Sequence, residues 1–318
     1  MDVARRAGVS QSTVSLVLSG KGRGRISAPT EAAVRRAAEE LGYRPNVAAR
    51  ALRTGVARTV GLVVPDVTNP FFGRVLRGAQ RAARTAGYAV ALVDAGRDRD
   101  WEIASIEALL AGPADGVLLF GVDAPGDTPG HAVAIEVAAG ALPVVRLDVE
   151  SGTEAAVGHL LELGHRRIGH LASSVGTSTF QARARRLAAC LSAGGLEPAA
   201  TASAPMEFDG AAAAAASLLK AGCTAVFCDD DMLAGGMYMA AREAAVAIPG
   251  ELSVVGFDDL DFARVLNPPL TTVAADPEAL GAAAFAALGA VMAGSPVAAE
   301  QVLPVRLVVR GSTAPPRA

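Results

Sequence analysis

Residues 8–25 read GVSQSTVSLVLSGKGRGR, and this stretch could form either a phosphate-binding loop or a short helix. A phosphate-binding loop requires GxxxxGK[ST] between a strand and a helix, and GKGRGR at 20–25 has neither that spacing nor that context. Ser10 instead suits the cap of a helix over 11–18. The apolar stripe of that helix consists of Val14, Val17 and Leu18. The stretch therefore predicts a short helix whose first residues are small and polar.

Two further helices are predicted on either side of it. DVARRAG at 2–8 has apolar residues at helical spacing and stops at Gly8, and a third helix is predicted from about Pro29 to Leu41, with Leu41 on its buried face. A helix, a tight turn at Gly8 and a second helix form the pattern of a helix-turn-helix motif. An ordinary small helical bundle stays open as the alternative.

The second helix of such a motif lies in the major groove of DNA, with its N-terminal residues closest to the bases. Gln11 and Ser12 can form hydrogen bonds with base edges, whereas the short hydroxyls of Thr13 and Ser15 are better suited to phosphates. The charge distribution agrees with a polyanionic partner. Residues 1–58 hold eleven Lys and Arg against four Asp and Glu, although the whole chain has a formal net charge of −3.

From residue 59 onward, apolar runs alternate with helical patterns, which predicts a doubly wound α/β sheet. TVGLVVPD, YAVALVDA, DGVLLFG and LPVVRLDV are predicted strands, with helices over 72–86, 101–111 and 132–140 between them. A second series follows GHRRIGHLAS and includes CTAVFCDD, LSVVGFDD and LTTVAAD. The pattern predicts two α/β units of similar build.

Small-molecule clefts form at the carboxyl ends of parallel strands, so the polar residues there are candidate site residues. They are Asp66, Asp94, Asp230, Asp231, Asp258 and Asp259. The four histidines have no metal-binding spacing, and neither a metal nor a cofactor is predicted. No apolar run is long enough to span a bilayer and the N-terminus has no signal-peptide pattern, so a cytoplasmic, non-membrane protein with free thiols is expected.

Several motifs in one order resemble the LacI/GalR family of bacterial transcriptional repressors. They are DVARRAGVSQSTVSLVLSG, EELGYRPNVAARALRTG, VGLVVPDVTNPFF, LGHRRIGHL, DDDMLAGG, IPGELSVVGFDD and PPLTTV. The resemblance covers nearly the whole chain. It implies a non-enzymatic regulator that binds a near-palindromic DNA operator as a homodimer. It also implies a two-subdomain core, similar to periplasmic sugar-binding proteins, with a small effector, by family default a carbohydrate, bound between the subdomains.

The resemblance assigns DNA contacts by position. Gln11 and Ser12 match the base-reading pair, and Thr13 and Ser15 match phosphate-contacting positions. A hinge helix over about 46–53, which Asn46 can cap, is implied to fold on the operator. Leu52 matches the leucine that this helix inserts into the minor groove, where an apolar wedge unstacks a base step and bends the duplex. An ordinary packing role for Leu52 stays open.

The resemblance also assigns an effector site. Its residues are Asn69, Phe71, Phe72, Asp148, Arg183, Phe208, Asp231 and Asp258. An aromatic ring can stack on a sugar or a base, Arg183 can bind effector oxygens, and the acids can accept hydrogen bonds from hydroxyl groups. Structural roles stay open for the acids, with Asp231 as a helix cap and Asp258 as a turn residue.

Two departures from the family pattern affect these assignments. Leu16 occupies the recognition helix where many relatives have an arginine, and leucine can contact only apolar edges such as a thymine methyl. The run LPVVRLDVESGTEAAVGHL passes directly from a strand into a helix, where relatives have a further loop and strand. We therefore expect a shortened first subdomain with an edge strand missing or merged. Asp148 is expected either to end the fourth strand or to precede the crossover helix, but not both.

The predicted organisation follows from these assignments. It comprises a three-helix DNA-binding domain at 1–45, a hinge at 46–58, a first effector subdomain at 59–150 and about 275–300, and a second at 151–274 and about 301–314. The helix at about 276–293 is rich in small residues and is expected at a dimer face. A sugar-binding transport protein without DNA function and an α/β enzyme are the alternatives, but the former lacks a basic head and the latter needs a nucleophile–base pair or phosphate loop.

Overall fold

The computed structural model describes residues 2–18, 24–43, 55–96, 98–112, 114–121, 130–137 and 140–317. The chain divides into two compact units, Met1–Ala57 and Arg58–Ala318. No helix among the described residues is long and apolar enough to cross a membrane.

The first unit contains three helices, α1 (Asp2–Ala7), α2 (Gln11–Leu18) and α3 (Ala28–Glu40). Gly8 has a φ of +67°, which allows the tight turn between α1 and α2. The Ser10 hydroxyl accepts a hydrogen bond from the Thr13 amide and so caps α2. The small core of the unit is formed by Val3, Val14, Val17, Val34, Ala37 and Ala38. Leu41 was predicted in that core, but it follows the last turn of α3 and is exposed.

The second unit contains two sheets of six strands each. The first has the order β11-β5-β4-β3-β1-β2. Its strands are β1 (Thr59–Val64), β2 (Ala89–Asp94), β3 (Gly116–Phe120), β4 (Ala132–Ile135), β5 (Val144–Leu147) and β11 (Glu300–Leu303). Its helices are α4 (Pro70–Thr85), α5 (Arg99–Leu110) and α10 (Pro277–Met292). All its strand pairs are parallel, and its central strands are continuous apolar runs because both faces are covered.

The second sheet has the order β12-β10-β9-β8-β6-β7, which repeats the arrangement of the first. Its strands are β6 (Ile168–Ser173), β7 (Thr201–Ala204), β8 (Ala225–Cys228), β9 (Ser253–Asp258), β10 (Thr271–Ala274) and the antiparallel β12 (Arg306–Val308). Its helices are α6 (Val149–Glu162), α7 (Ser178–Ala193), α8 (Phe208–Lys220) and α9 (Asp231–Glu243), with a 3-10 turn at Asp261–Arg264. The chain returns to this sheet for the last time between β11 and β12.

The small residues of α10 serve a contact within the chain. A Cβ on Gly281 would lie 2.0 Å from the Val75 carbonyl oxygen, and a Cβ on Gly78 would lie 1.9 Å from the Glu278 carbonyl oxygen. The α4 and α10 backbones therefore approach so closely that only glycine fits at these two positions. The small residues of α10 do not need a dimer face to explain them.

The stretch between β3 and α6 differs from its prediction. A helix was predicted over 132–140, but 132–135 is the buried parallel strand β4. A four-residue run that is apolar on both faces has no periodicity that separates a buried strand from a buried helix. The expected loss of an edge strand is also wrong, because the first sheet has six strands, as many as the second.

Asp148 joins the two roles that the sequence analysis treated as exclusive. It follows β5 directly and it caps α6, where its Oδ1 accepts a hydrogen bond from the Ser151 amide at 3.1 Å. With β5 ending at Leu147 and α6 beginning at Val149, one residue ends the strand and starts the helix.

Candidate functional site

The N-terminal end of α2 presents polar side chains to solvent. Gln11 and Ser12 are exposed, whereas Thr13 and Ser15 are half-buried. The Ser10 hydroxyl lies 2.7 Å from the Ser12 hydroxyl and 2.9 Å from that of Thr13, so the cap orients both. Val14 and Val17 are buried on the opposite side of the helix.

Leu16 lies on the same helix and is half-buried. The predicted DNA contacts Asn46 and Leu52 lie outside the described residues. In the described part of the N-terminal unit, α2 therefore combines a buried apolar side with an exposed polar start, as a recognition helix requires.

A cavity of about 350 Å³ lies at the carboxyl ends of the strands of both sheets. Residues of both subdomains line it. The first contributes Pro65, Asn69, Phe71, Phe72, Glu102, Phe120, Gly121, Glu136 and Leu147. The second contributes Ser174, Val175, Thr177, Thr179, Phe180, Met206, Arg183 and Asp258. A cleft between two α/β units, mostly apolar with a few converging polar groups, is typical of a small-molecule site.

Aromatic rings form the apolar wall of the first subdomain. Phe72 and Phe120 pack edge to face with centroids 4.9 Å apart, and Phe71 lies 6.0 Å from Phe120 in the same manner. Asn69 caps α4, with its Oδ1 accepting the Phe71 amide at 2.9 Å, and so places both phenylalanines at the start of the helix. The predicted residues Asn69, Phe71 and Phe72 thus lie together on this wall.

Arg183 is the cation of the cavity among the described lining residues. It is only 4% exposed, and its guanidinium lies 3.7 Å from the centroid of the Phe257 ring and 5.2 Å from that of Phe180. One Nη donates a hydrogen bond to the Asp229 carbonyl oxygen, and the buried Nε has no described partner. A buried donor without a partner is costly, so Arg183 is held in this position by the rest of its environment.

Two acids at strand ends face the cavity. Asp258 ends β9 with a φ of +103°, and burial raises its pKa to about 6 although Arg183 and Arg74 lower it. Glu136 follows β4 with a φ of +69°, and burial raises its pKa to about 7. Non-glycine residues at positive φ are strained and are often found at functional sites.

Three predicted effector residues are not among the described lining residues. Asp148 caps α6, as described above. Phe208 is 40% exposed at the start of α8 and packs edge to face on Phe262, with centroids 5.6 Å apart. Asp231 is fully buried, and its carboxyl accepts hydrogen bonds from the Leu260 amide at 2.7 Å and the Thr272 hydroxyl at 2.6 Å. Asp231 therefore supports the segment that carries Asp258.

Neighbouring acids also have structural partners. Asp230 caps α9 through the Leu233 amide at 2.7 Å, and burial raises its pKa to about 7. The Asp229 carboxyl contacts His170 Nε2 at 2.8 Å and accepts the Ser173 amide at 2.8 Å. Of the six strand-end acids that the sequence analysis named, Asp258 alone is among the described lining residues.

The sequence analysis missed several lining residues. Glu136 was placed on a helix, although HAVAIE has the same form as LVVPD and VGFDD, an apolar run that ends on an acid. Phe180 lies three residues before Arg183 on α7, a spacing that places both on one helix face. Glu102, Thr179 and Met206 have no comparable signal in the sequence.

Comparison with known proteins gives relatives for both units. Residues 1–46 match the model of the bacterial regulatory proteins of the lacI family, and residues 157–313 match a periplasmic binding protein-like domain. The HTH-type transcriptional repressor CytR of Escherichia coli K12 is 32% identical over 326 residues, which cover 98% of this chain and 95% of that protein.

Solved structures agree. The Lac repressor dimer bound to operator and the anti-inducer ONPF superposes with a TM-score of 0.89 at 25% identity, over 98% of each chain. A LacI family transcriptional regulator from Enterococcus faecium with bound ribose has a TM-score of 0.75 at 26% identity, over 81% of this chain and 100% of that one. These relatives are transcriptional regulators rather than enzymes. The chain belongs to the lacI family of bacterial regulatory proteins and is a DNA-binding transcriptional regulator.

Proposed function

We propose that this regulator binds a near-palindromic operator as a homodimer and represses transcription until a small effector occupies the cleft. The observation that supports the proposal is that one chain contains both a recognition helix with an exposed, polar N-terminal end and a cavity lined by Arg183. The Lac repressor relative is bound to operator as a dimer, and the Enterococcus relative holds ribose, so a carbohydrate is the first effector class to test.

On the DNA side, Gln11 and Ser12 are proposed to contact base edges and Thr13 and Ser15 to contact phosphates. Asn46 and Leu52 are proposed for the hinge, with Leu52 as the minor-groove wedge. A dimer places two recognition helices on half-sites one helical turn apart, which is why the operator is expected to be near-palindromic.

On the effector side, Arg183 and Asp258 of the second subdomain are proposed to bind one side of a hydroxyl-bearing ligand, which packs against the wall formed by Phe71 and Phe72. Residues of both subdomains line the cavity, so a ligand that contacts both favours one angle between them. The ligand controls operator binding only to the extent that it binds the two conformations with different affinity.

An operator selection with the purified full chain tests this proposal. The selection is run on random duplexes without ligand and then with each member of a panel of sugars. We expect a near-palindromic consensus, and its loss in the presence of one sugar. Failure to enrich any duplex would overturn the DNA-binding proposal, whereas enrichment that no sugar changes would overturn the carbohydrate effector alone.

A further inference from the structure

Arg58 begins the second unit, and both polar groups of its backbone have partners in the first sheet. Its amide donates a hydrogen bond to the Asp115 carboxyl at 2.8 Å, and its carbonyl oxygen accepts the Ala89 amide at 2.9 Å. Arg58 directly precedes β1, Asp115 directly precedes β3 and Ala89 is the first residue of β2. Because β1 lies between β2 and β3, Arg58 joins the starts of three neighbouring strands.

The Arg58 side chain adds a second set of contacts. Its Nη1 donates a hydrogen bond to the Ala86 carbonyl oxygen at 3.2 Å, and its guanidinium lies 5.3 Å from the centroid of the Tyr88 ring. Tyr88 is half-buried and packs on Phe285 of α10, with ring centroids 6.1 Å apart. The guanidinium is thus attached to a ring that α10 holds in the core.

The backbone of Arg58 adopts a strained conformation. Its φ is +60°, in the left-handed region that glycine adopts readily and other residues rarely adopt. A non-glycine residue persists there only where its surroundings determine the conformation. Arg58 is exposed, so burial does not determine it. Its contacts with Ala86, Tyr88, Ala89 and Asp115 do, and we call this set of contacts the Arg58 clamp.

The clamp lies where the linker joins the core. The chain divides into Met1–Ala57 and Arg58–Ala318, so the linker ends where Arg58 begins. The left-handed turn and the contacts of the clamp fix the point and the direction in which the chain leaves the first sheet.

A fixed exit matters because the linker sets the reach of a DNA-binding unit. One additional residue of free chain adds up to about 3.5 Å of reach. Successive base pairs of DNA are about 3.4 Å apart, so one residue of free chain corresponds to about one base pair. A dimer on two half-sites has two such linkers, and their exits determine the spacing at which both recognition helices can bind.

We propose that Arg58 is a positioning residue for operator binding, and that the Arg58 clamp sets the half-site spacing that the dimer accepts. Arg58 acts through the linker rather than by contact with a base. The inference rests on the proposed binding of a near-palindromic operator by a homodimer. Without its side-chain contacts, the exposed start of the core can open, and each linker gains about one residue of free chain.

Operators of altered spacing test this proposal. The two selected half-sites are kept, and the spacer between them is shortened or lengthened by one and by two base pairs. Fluorescence anisotropy gives the dissociation constant of the full chain for each duplex. We expect the wild type to prefer the selected spacing by about tenfold over the others.

Two variants remove the side-chain part of the clamp. Arg58→Asn tolerates the left-handed backbone but loses the contacts with Ala86 and Tyr88. Tyr88→Leu removes the ring below the guanidinium and keeps an apolar contact for Phe285. We expect both variants to prefer the selected spacing by only about threefold or less. Arg58→Lys keeps a cation at the Tyr88 ring and should retain most of the wild-type preference.

The ratio of dissociation constants separates positioning from a merely structural role. Partial unfolding of a variant would weaken binding at every spacing by one factor and leave the ratios unchanged. Arg185→Asn is the matched control, because it removes one positive charge from an exposed side chain on α7. It should weaken binding at most uniformly, since loss of a charge acts on all duplexes alike.

The outcomes distinguish this inference from the function on which it rests. An unchanged ratio in Arg58→Asn or in Tyr88→Leu, or an equal loss of preference in Arg185→Asn, would overturn the role of Arg58 and leave operator binding in place. Equal binding of the wild type at all spacings would also overturn it. Failure of the operator selection to enrich any duplex would overturn the proposed function and this inference together.

Discussion

The two sheets of the second unit share one strand order, but the charged groups at their strand ends differ in their hydrogen-bond partners. The second sheet carries the cation of the cleft on α7, close to its own Asp258, and holds Asp229, Asp230 and Asp231 in hydrogen bonds at the end of β8. At the end of β4 in the first sheet, the Glu136 carboxyl accepts hydrogen bonds from the Leu147 amide and from the more distant Thr179 hydroxyl. One topology can therefore give a polar wall whose acids have several hydrogen-bond partners and an aromatic wall on which Glu136 has fewer partners. The predictions below test that contrast.

Removal of the cation should have the largest effect. Arg183→Met removes the positive charge that lowers the pKa of Asp258, Asp230 and Glu136, and Asp258 then has only the influence of Arg74. We expect the free energy of unfolding to fall by about 3 kcal/mol at pH 8, because buried carboxylates lose a compensating charge. At pH 5 these acids, with pKa values of about 6 to 7, are already protonated, so the loss should be smaller. Urea denaturation at the two pH values measures the difference.

Arg185→Met is the matched control for that experiment. Arg185 lies two residues further along α7 and is exposed. Its replacement should change the free energy of unfolding by less than about 0.5 kcal/mol. Equal losses in the two variants would contradict the electrostatic role of Arg183.

The helix pairs that cover the two sheets give the next prediction. In the first subdomain a Cβ on Gly78 would meet backbone at 1.9 Å, whereas in the second a Cβ on Gly236 would meet the Ala211 Cβ at 2.3 Å. Both alanine variants should be destabilised by about 2 kcal/mol or more because packed helices must separate. Gly289→Ala, where nothing lies within 4 Å, should instead stabilise α10 by about 0.5 to 1 kcal/mol. Thermal unfolding of the three variants checks this order.

Glu136 and Asp258 can be compared directly through stability. The folded pKa of Glu136 is about 7, above its ordinary value of 4.5, so the folded state holds the proton more tightly than the unfolded state. The stabilisation of the folded state by this proton is fully present below about pH 4.5 and is lost as the pH rises through 7. The free energy of unfolding of Glu136→Gln, relative to that of the wild type, should therefore rise by about 1 kcal/mol between pH 6 and 8.

The free energy of unfolding of Asp258→Asn, relative to that of the wild type, should rise over a lower pH range. The pKa of Asp258 rises from 3.8 to about 6, so its stabilisation is lost mainly between those values. Between pH 6 and 8 we expect a change below about 0.5 kcal/mol. Chemical denaturation of both variants across pH 4 to 8 measures the two windows, and coincident windows would contradict the unequal compensation of the acids.

The comparison also shows what could be predicted from the sequence. Helix α2 was predicted at its observed bounds, since Ser10, the apolar stripe and the following glycine are local signals. The second sheet was predicted strand by strand wherever an apolar run ended on an acid. In the first sheet β4 was missed because four apolar residues fit a buried helix as well as a buried strand. That error hid Glu136, and it created an apparent missing strand.

Tertiary partners explain the other differences. Asp231 and Asp258 have the same sequence pattern, but only a structure shows that the Leu260 amide and the Thr272 hydroxyl occupy the Asp231 carboxyl. The exposure of Phe208 likewise depends on the packing of its ring on Phe262. Long-range hydrogen bonds and ring contacts of this kind leave no periodic signal in the sequence.

The last prediction concerns Leu16 in the N-terminal unit and changes sequence preference rather than stability. Leucine can contact a thymine methyl but cannot donate hydrogen bonds to guanine, so Leu16→Arg should shift one operator position toward guanine by about 1 to 3 kcal/mol. Parallel operator selections with wild type and variant measure the shift. Recovery of a strong guanine preference at that position by the wild-type chain would contradict the proposed reading by Leu16.

The central claim is that occupation of the cleft controls DNA binding. Its most direct test is the dissociation constant of the full chain for its selected operator, measured by fluorescence anisotropy with and without the sugar that abolishes enrichment in the operator selection. We expect the dissociation constant to change at least tenfold in the wild-type chain and to change little in Asp258→Asn, which lacks one cleft carboxylate. Equal dissociation constants with and without the bound compound, or an undiminished change in the variant, would contradict it.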